Sequence, residues 1–295
     1  MALTAKQIAW NGLQFSIPIT WELAWIDSHH LTFDSHGSPA LEIKWAPIKG
    51  RYSHRAQLKK LTKGHKTHPS KTISNWQLPA TWKQALAKYS CQGFCWQTDS
   101  ASGYGATLHC PVCNQAVIFQ IFDINKHLSD PHLLNFLKTL ADHREDGFIA
   151  WKVFDIQALL PKSLRLNHYQ FKPGNHQLAL VDKTIKVRLY RWAPASALLA
   201  DAGLAAFAAK ALPVSAEQLN NTSIQEYPAV EMRPPDVSGW YRQMVRWGIK
   251  PALKWSLVWH IKTSNRILGI SLESKKPFQP DQMTQFSDNF CLNLS

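Results

Sequence analysis

The tripeptide Trp-Ala-Pro occurs twice, at Trp45–Pro47 and Trp192–Pro194, each time closing a strand-like run, "ALEIKWAP" and "IKVRLYRWAP". An internal repeat constrains a fold more than any single motif, because both copies must be built as the same unit. Other matches follow in the same order. "IPITWEL" (17–23) stands opposite "LPKSLRL" (160–166), aligning Pro18 with Pro161 and Leu23 with Leu166. "LHCPVCNQAVIFQI" stands opposite "WHIKTSNRILGISL", aligning His109 with His260 and Asn114 with Asn265. "DPHLLNFL" (130–137) and "QPDQMTQF" (279–286) complete the series as proline-led candidate helices. The separations run from 143 residues (Pro18 to Pro161) to 151 (His109 to His260). The chain therefore reads as a tandem duplication with domains 1–145 and 146–295, divided near the charged, Gly-ended "HREDG" (143–147). A length of 295 residues accommodates two such domains.

Each copy shows the same succession of elements. "LQFSIP" leads through proline to "WELAWID" and then to "PALEIKWAP", three runs with strand composition. A helix is expected next, "SHRAQLKKLTK" in the first copy and "ASALLADAGLAAFAAKAL" in the second, each with Ser near its start as a cap. A late hairpin, "GYGATLHC" turning at "PVCN" into "QAVIFQIF", precedes a closing helix, "PHLLNFLKTLADH". Hairpin strands interrupted by helices predict an α+β class: two tandem copies of an antiparallel sheet covered by helices. The step Pro-x-x-Trp/Leu-x-Leu (Pro18, Trp21, Leu23; Pro161, Leu164, Leu166) with the hairpins around it resembles the PsbP/DcrB-like α/β superfamily. That resemblance implies a binding or assembly protein without a catalytic constellation.

Chemistry concentrates in the cysteines of the first copy. Cys110 and Cys113 in "CPVCNQ" have the spacing that lets one tight turn offer two thiolates to a single ion, and the segment is close to a zinc knuckle. Asn114 stands where Gly is usual and also tolerates a left-handed backbone. Upstream, "SCQGFCW" holds Cys91 and Cys95, with Gly93 as the residue that could turn the chain between them. Together Cys91, Cys95, Cys110 and Cys113 predict a closed, structural four-thiolate site for zinc. Two other readings compete: a Cys-x-x-Cys redox couple, although such couples sit at helix starts, and plain reduced thiols in a hairpin. The second copy has Ile261 and Ser264 at the matching positions, so a metal would shape one copy only. Cys291 stands alone as a packing thiol.

The net charge of +13 is segregated. Between Ile43 and Thr98 there is no Asp or Glu, while eleven Lys or Arg fall in that window. Arg51, Arg55, Lys59 and Lys63 recur every four residues and so share one face of the expected helix. A second acid-free run between Asp236 and Glu273 interleaves Arg242, Arg246, Lys250 and Lys254 with Trp240, Tyr241, Trp247 and Trp255. Such local charge predicts an anionic partner. An acidic protein is the first expectation, nucleic acid the second and a membrane surface the third.

No phosphate-binding loop, "HExxH" or "GxSxG" is present. The histidines of the turn-rich "DSHHLTFDSHGSP" (His29, His30, His36) read as solvated. The leading expectation is a non-catalytic scaffold with a structural zinc and a basic surface for an acidic partner. The alternatives are an enzyme using a thiol or a site between the copies, and a non-specific nucleic-acid binder. With no signal-peptide pattern and no apolar run of about 20 residues, the chain reads as soluble and cytoplasmic.

Overall fold

Strands fill most of both repeats in the computed structural model, which describes residues 4–64, 72–122, 130–200, 202–212, 218–234, 239–249 and 251–292. The chain divides into two compact units, Met1–Val153 and Phe154–Leu294.

In the first unit β3 (Trp21–Asp27), β4 (His30–Ser35) and β5 (Ser38–Pro47) form a meander. It is continued by β9 (Gln115–Phe122), β8 (Ser102–His109), β7 (Ser90–Gln97) and β6 (Thr72–Asn75), giving a seven-stranded antiparallel sheet of order β3-β4-β5-β9-β8-β7-β6. Outside it, β1 (Ala5–Trp10) and β2 (Leu13–Pro18) form a hairpin, and β1 also pairs with β10 (Phe148–Val153). Among the described residues of this unit the helices are α1 (His54–Gly64), α2 (Ala80–Ala85) and α3 (Pro131–Thr139). Asp130 caps α3 by accepting from the His132 N–H at 2.8 Å, with Pro131 at the first helical position.

The second unit repeats this order strand for strand. Its sheet runs β12 (Arg165–Lys172), β13 (Asn175–Val181), β14 (Ile185–Trp192), β18 (Arg266–Ser274), β17 (Leu253–Ile261), β16 (Tyr227–Met232) and β15 (Asn220–Ile224). β11 (Ile156–Pro161) pairs with β19 (Phe290–Leu292). The helices are α4 (Ala195–Leu199), α5 (Gly203–Ala211), α6 (Gly239–Arg246) and α7 (Pro280–Asp288). The helix expected across "ASALLADAGLAAFAAKAL" is thus two short ones.

The class is mainly β, which corrects the α+β expectation. Among the described residues the longest helix has 11 residues, too short to roof a seven-stranded sheet. Much of the cover in the first unit is instead another sheet. β2 turns Leu13, Phe15 and Ile17 inward, each at most 1% exposed, and the Phe15 ring meets Phe33 of β4 edge-on at 5.8 Å. α3 completes the layer through Phe136, which is edge-on to both Phe15 and Phe119 of β9 at 5.4 Å. Alternation along β2 had marked the strand, but only packing shows that its apolar face replaces a helix.

The repeated sequence matches have a local cause. Asn114 and Asn265 both occupy the left-handed region (φ 55° and 57°), each ending the turn before the last long strand of its sheet. Each then holds the residue that follows Trp-Ala-Pro. Asn114 O accepts from the Ile48 N–H at 2.9 Å, and its Nδ2 donates to Ile48 O at 2.7 Å. In the second unit Asn265 O accepts from Ala195 N at 3.0 Å, and Asn265 Oδ1 accepts from Ser196 N at 2.7 Å. The motif and the asparagine are two halves of one clamp.

Candidate metal centre

The turn joining β8 to β9 is closed by Asn114 N donating to Cys110 O at 3.0 Å and Cys110 N donating to Gln115 O at 2.9 Å. This geometry sets Cys110 and Cys113 on the same loop, with Val112 at its exposed tip. The second half of the cluster comes from the segment after α3. Gln14 and Ala141 exchange two backbone hydrogen bonds at 2.8 Å, tying that segment to β2 and placing Asp142 and His143 against the turn.

Sulfur, oxygen and nitrogen donors of Cys110, Cys113, Asp142 and His143 all lie within 4.8 Å of one another. Cys113 Sγ donates to Asp142 Oδ2 at 3.0 Å, His143 Nδ1 lies 3.0 Å from Asp142 Oδ1, and Cys110 Sγ lies 3.7 Å from His143 Nδ1. A tetrahedral ion with bonds of about 2.0–2.3 Å holds its donors roughly 3.3–3.8 Å apart, so little movement is needed to close on one. The cluster could hold a metal ion.

Tyr89, just before β7, stands behind the carboxylate. Its hydroxyl donates to Asp142 Oδ1 at 3.1 Å and approaches Leu140 O at 3.4 Å. Burial and the neighbouring Asp142 charge push the Tyr89 phenol far above its ordinary value, so it serves only as a neutral donor. Burial works against the Asp142 carboxylate, yet hydrogen bonds from Cys113 and His143 outweigh it and hold the acid below its usual range. Burial, then the bond and charge of Asp142, push the Cys113 thiol up to about 12. Without a cation the charge sits on Asp142 and the Cys113 thiol keeps its proton. A metal ion would reverse that balance by taking the proton's place.

The four-thiolate set expected from the sequence is not brought together. Cys110 and Cys113 meet Asp142 and His143, while Cys91 and Cys95 lie on β7. Gly93 is not a turn between them but the middle of that strand, paired with Ala106. A Cβ there would stand 2.5 Å from Trp76 O and 2.9 Å from the Leu78 side chain, so the glycine serves a close approach. Four residues along an extended strand separate Cys91 and Cys95 by about 13 Å, too far to share one ion. Cys95 Sγ instead lies 3.0 Å from Ser74 Oγ.

Asp142 borders and His143 opens the charged "HREDG" (143–147), where such residues are ordinarily solvated, so neither stands out in the sequence. The available signal was an Asp-His pair just after the closing helix of the copy that carries the thiols. In the second unit the corresponding turn holds Ile261 and Ser264, and β19 after α7 reads Phe-Cys-Leu. None of the four donors recurs at its own place there.

Of the basic residues, Arg51, Arg55 and Lys59 are exposed on or just before α1 and make no ion pair among the described residues. Arg246 is exposed at the end of α6, whereas Lys254 belongs to β17, directly across from Glu273 of β18. The second cluster therefore spans two elements, and part of its charge is spent on Glu273, whose carboxyl also pairs with Arg188 at 2.7 Å. Lys250 and the side chains of Lys63 and Arg242 lie outside the described residues.

No protein-family model matches the chain and no curated protein is similar to it. Among solved structures, one from Bacteroides thetaiotaomicron VPI-5482 is 13% identical with a TM-score of 0.29, over 53% of this chain and 53% of that one. The chain thus spans about half the length of that structure. The apo immunity protein TplEi of the T6SS from Pseudomonas aeruginosa is 9% identical, covering 98% of this chain and 97% of its own, with a TM-score of 0.35. A Tle4-Tli4 complex is 9% identical over 99% of both chains, with a TM-score of 0.34. At these identities and TM-scores no residue role passes to this chain.

Proposed function

We propose that this chain is a non-catalytic binding protein whose first unit carries a structural zinc ion on Cys110, Cys113, Asp142 and His143. The convergence of those four donors within 4.8 Å is the observation that carries the reading. Two thiolates, an imidazole and a carboxylate suit a borderline-soft tetrahedral ion. Four protein donors leave no coordination position for a substrate or reacting water, which favours a structural role over a catalytic one. The ion would join the β8–β9 turn to the segment after α3. Through Asn114 it would also brace the Ile48 strand end that leads into α1. Tyr52 on that connection stacks flat on His109, with centroids 4.5 Å apart and planes 7° apart. The braced element presents Arg55 and Lys59, which in this reading meet an acidic macromolecular partner.

Elemental mass spectrometry of the untagged protein, with thiols counted before and after chelation, tests the metal. Close to one zinc per chain with Cys110 and Cys113 unmasked by chelator is expected; no metal and freely titrating thiols would overturn the site. Charge reversal at Arg55 and Lys59 tests the surface separately. It should leave the fold intact and weaken partner association most at low salt. Unchanged association would sink that half of the proposal.

A further inference from the structure

A different surface stands out on the second unit. Among the described residues, three of the exposed large apolar side chains fall within ten positions: Trp240 (71% exposed), Trp247 (65%) and Ile249 (60%). Trp240 lies on α6 and Trp247 directly follows it, its N–H still donating to Gln243 O at 3.0 Å, and seven residues, about two turns, place the two on one line of the helix. Val245, at 1% exposure, fixes the opposite side against the unit. On the strip beside the indoles, Gly239, Gln243 and Arg246 line a cleft of about 480 Å³. The facing wall carries Ser274, the last residue of β18, and Lys275 and Lys276 directly after it. The cleft lining contains three cationic side chains and no carboxylate. None of the three makes an ion pair among the described residues, and the sequence holds no acid from Val237 to Leu272.

We propose that this face docks on an anionic phospholipid surface, with Trp240 and Trp247 among the headgroups and a lipid phosphate in the cleft of Arg246, Lys275 and Lys276. Indoles are amphipathic and settle at the boundary between headgroup and acyl chain, where their apolar area leaves water while the N–H stays hydrated. Stable attachment to a membrane surface takes two signals, such as an apolar wedge and a basic patch, and both lie side by side here. A protein partner fits less well: binding-site tryptophans fill shaped pockets, whereas these two indoles stand exposed on and just after a short helix. No described helix is long and apolar enough to cross a membrane, so the contact would be with the surface.

The experiment is co-sedimentation of the full chain with phosphatidylcholine vesicles and with phosphatidylcholine/phosphatidylglycerol vesicles, alongside binding of inorganic phosphate and of polyglutamate. The parent should bind only the anionic vesicles, with affinity falling as salt is added. Trp240→Ser/Trp247→Ser and Lys275→Glu/Lys276→Glu should each lower vesicle affinity at least tenfold with the thermal transition unchanged. Absence of vesicle binding overturns the proposal, as does binding that survives the tryptophan substitutions. Phosphate or polyglutamate binding without vesicle binding would also overturn it, assigning the cleft to a free anion or to an acidic protein. These variants leave the metal cluster and α1 untouched, so this test can fail independently of the zinc reading.

Discussion

Replacing Asp142 by Asn should have opposite effects on metal and on thiol. The substitution keeps the shape of a side chain that is 2% exposed, and its carbonyl oxygen can still accept from Tyr89. What it removes is the negative charge 3.0 Å from Cys113 Sγ. In the metal-free protein burial and that charge together lift the Cys113 thiol from an ordinary 9.0 to about 12. Burial is unchanged by the substitution, so only the part due to Asp142 is recovered. Removing that charge lowers the thiol, so more thiolate is present at pH 8; because a lower thiol is also a weaker nucleophile, alkylation should be faster by a net factor on the order of 3 to 10. If the proposed zinc is held there, the variant should at the same time give it up to at least 10-fold less chelator. The assay is iodoacetamide alkylation at several pH values in excess chelator, followed by peptide mass spectrometry at Cys113. Cys91, whose thiol is raised by burial without Asp142, is the internal reference. Unchanged or slower Cys113 alkylation in the variant, or zinc retention equal to the parent, would refute the account of the cluster.

Two further outcomes follow from packing and charge. Phe136→Ala removes a ring that is 1% exposed and edge-on to Phe15 and Phe119, so urea unfolding should show a loss of about 3–5 kcal/mol; because α3 leads into Asp142 and His143, the variant should also release zinc to weaker chelators. Glu42 Oε1 lies 2.9 Å from His30 Nε2 and 2.5 Å from Lys44 Nζ, and although burial opposes it, these neighbours hold its carboxyl at about 2 against an ordinary 4.5. A depressed carboxyl stabilises the fold above its unfolded value, so this contribution is complete above pH 4.5 and lost as pH falls toward 2. Stability measured by urea at successive pH values should fall by up to about 3 kcal/mol more in the parent than in Glu42→Gln over that window; identical acid limbs would show that the network does not act as described.

Most of the strands and the thiol-bearing turn are readable from sequence because each is decided locally. Alternation in "LQFSIP" and "QAVIFQIF" shows in the chain itself, and so does the left-handed preference of Asn114 and Asn265. The same is true of the Asp130–Pro131 start of α3. Tertiary structure decided what those elements face. Whether the apolar side of β2 meets a helix or a sheet depends on Phe15 reaching Phe33, which no local pattern encodes. The grouping of the cysteines depends on tertiary structure for the same reason. Proximity in sequence suggested Cys91 and Cys95 as partners of Cys110 and Cys113, but a strand rigidly separates residues four apart. The Gln14–Ala141 bridge instead delivers Asp142 and His143 from 29 or more residues along the chain. A ligand set is a property of where backbone hydrogen bonds carry the chain, and sequence specifies that only through the whole fold.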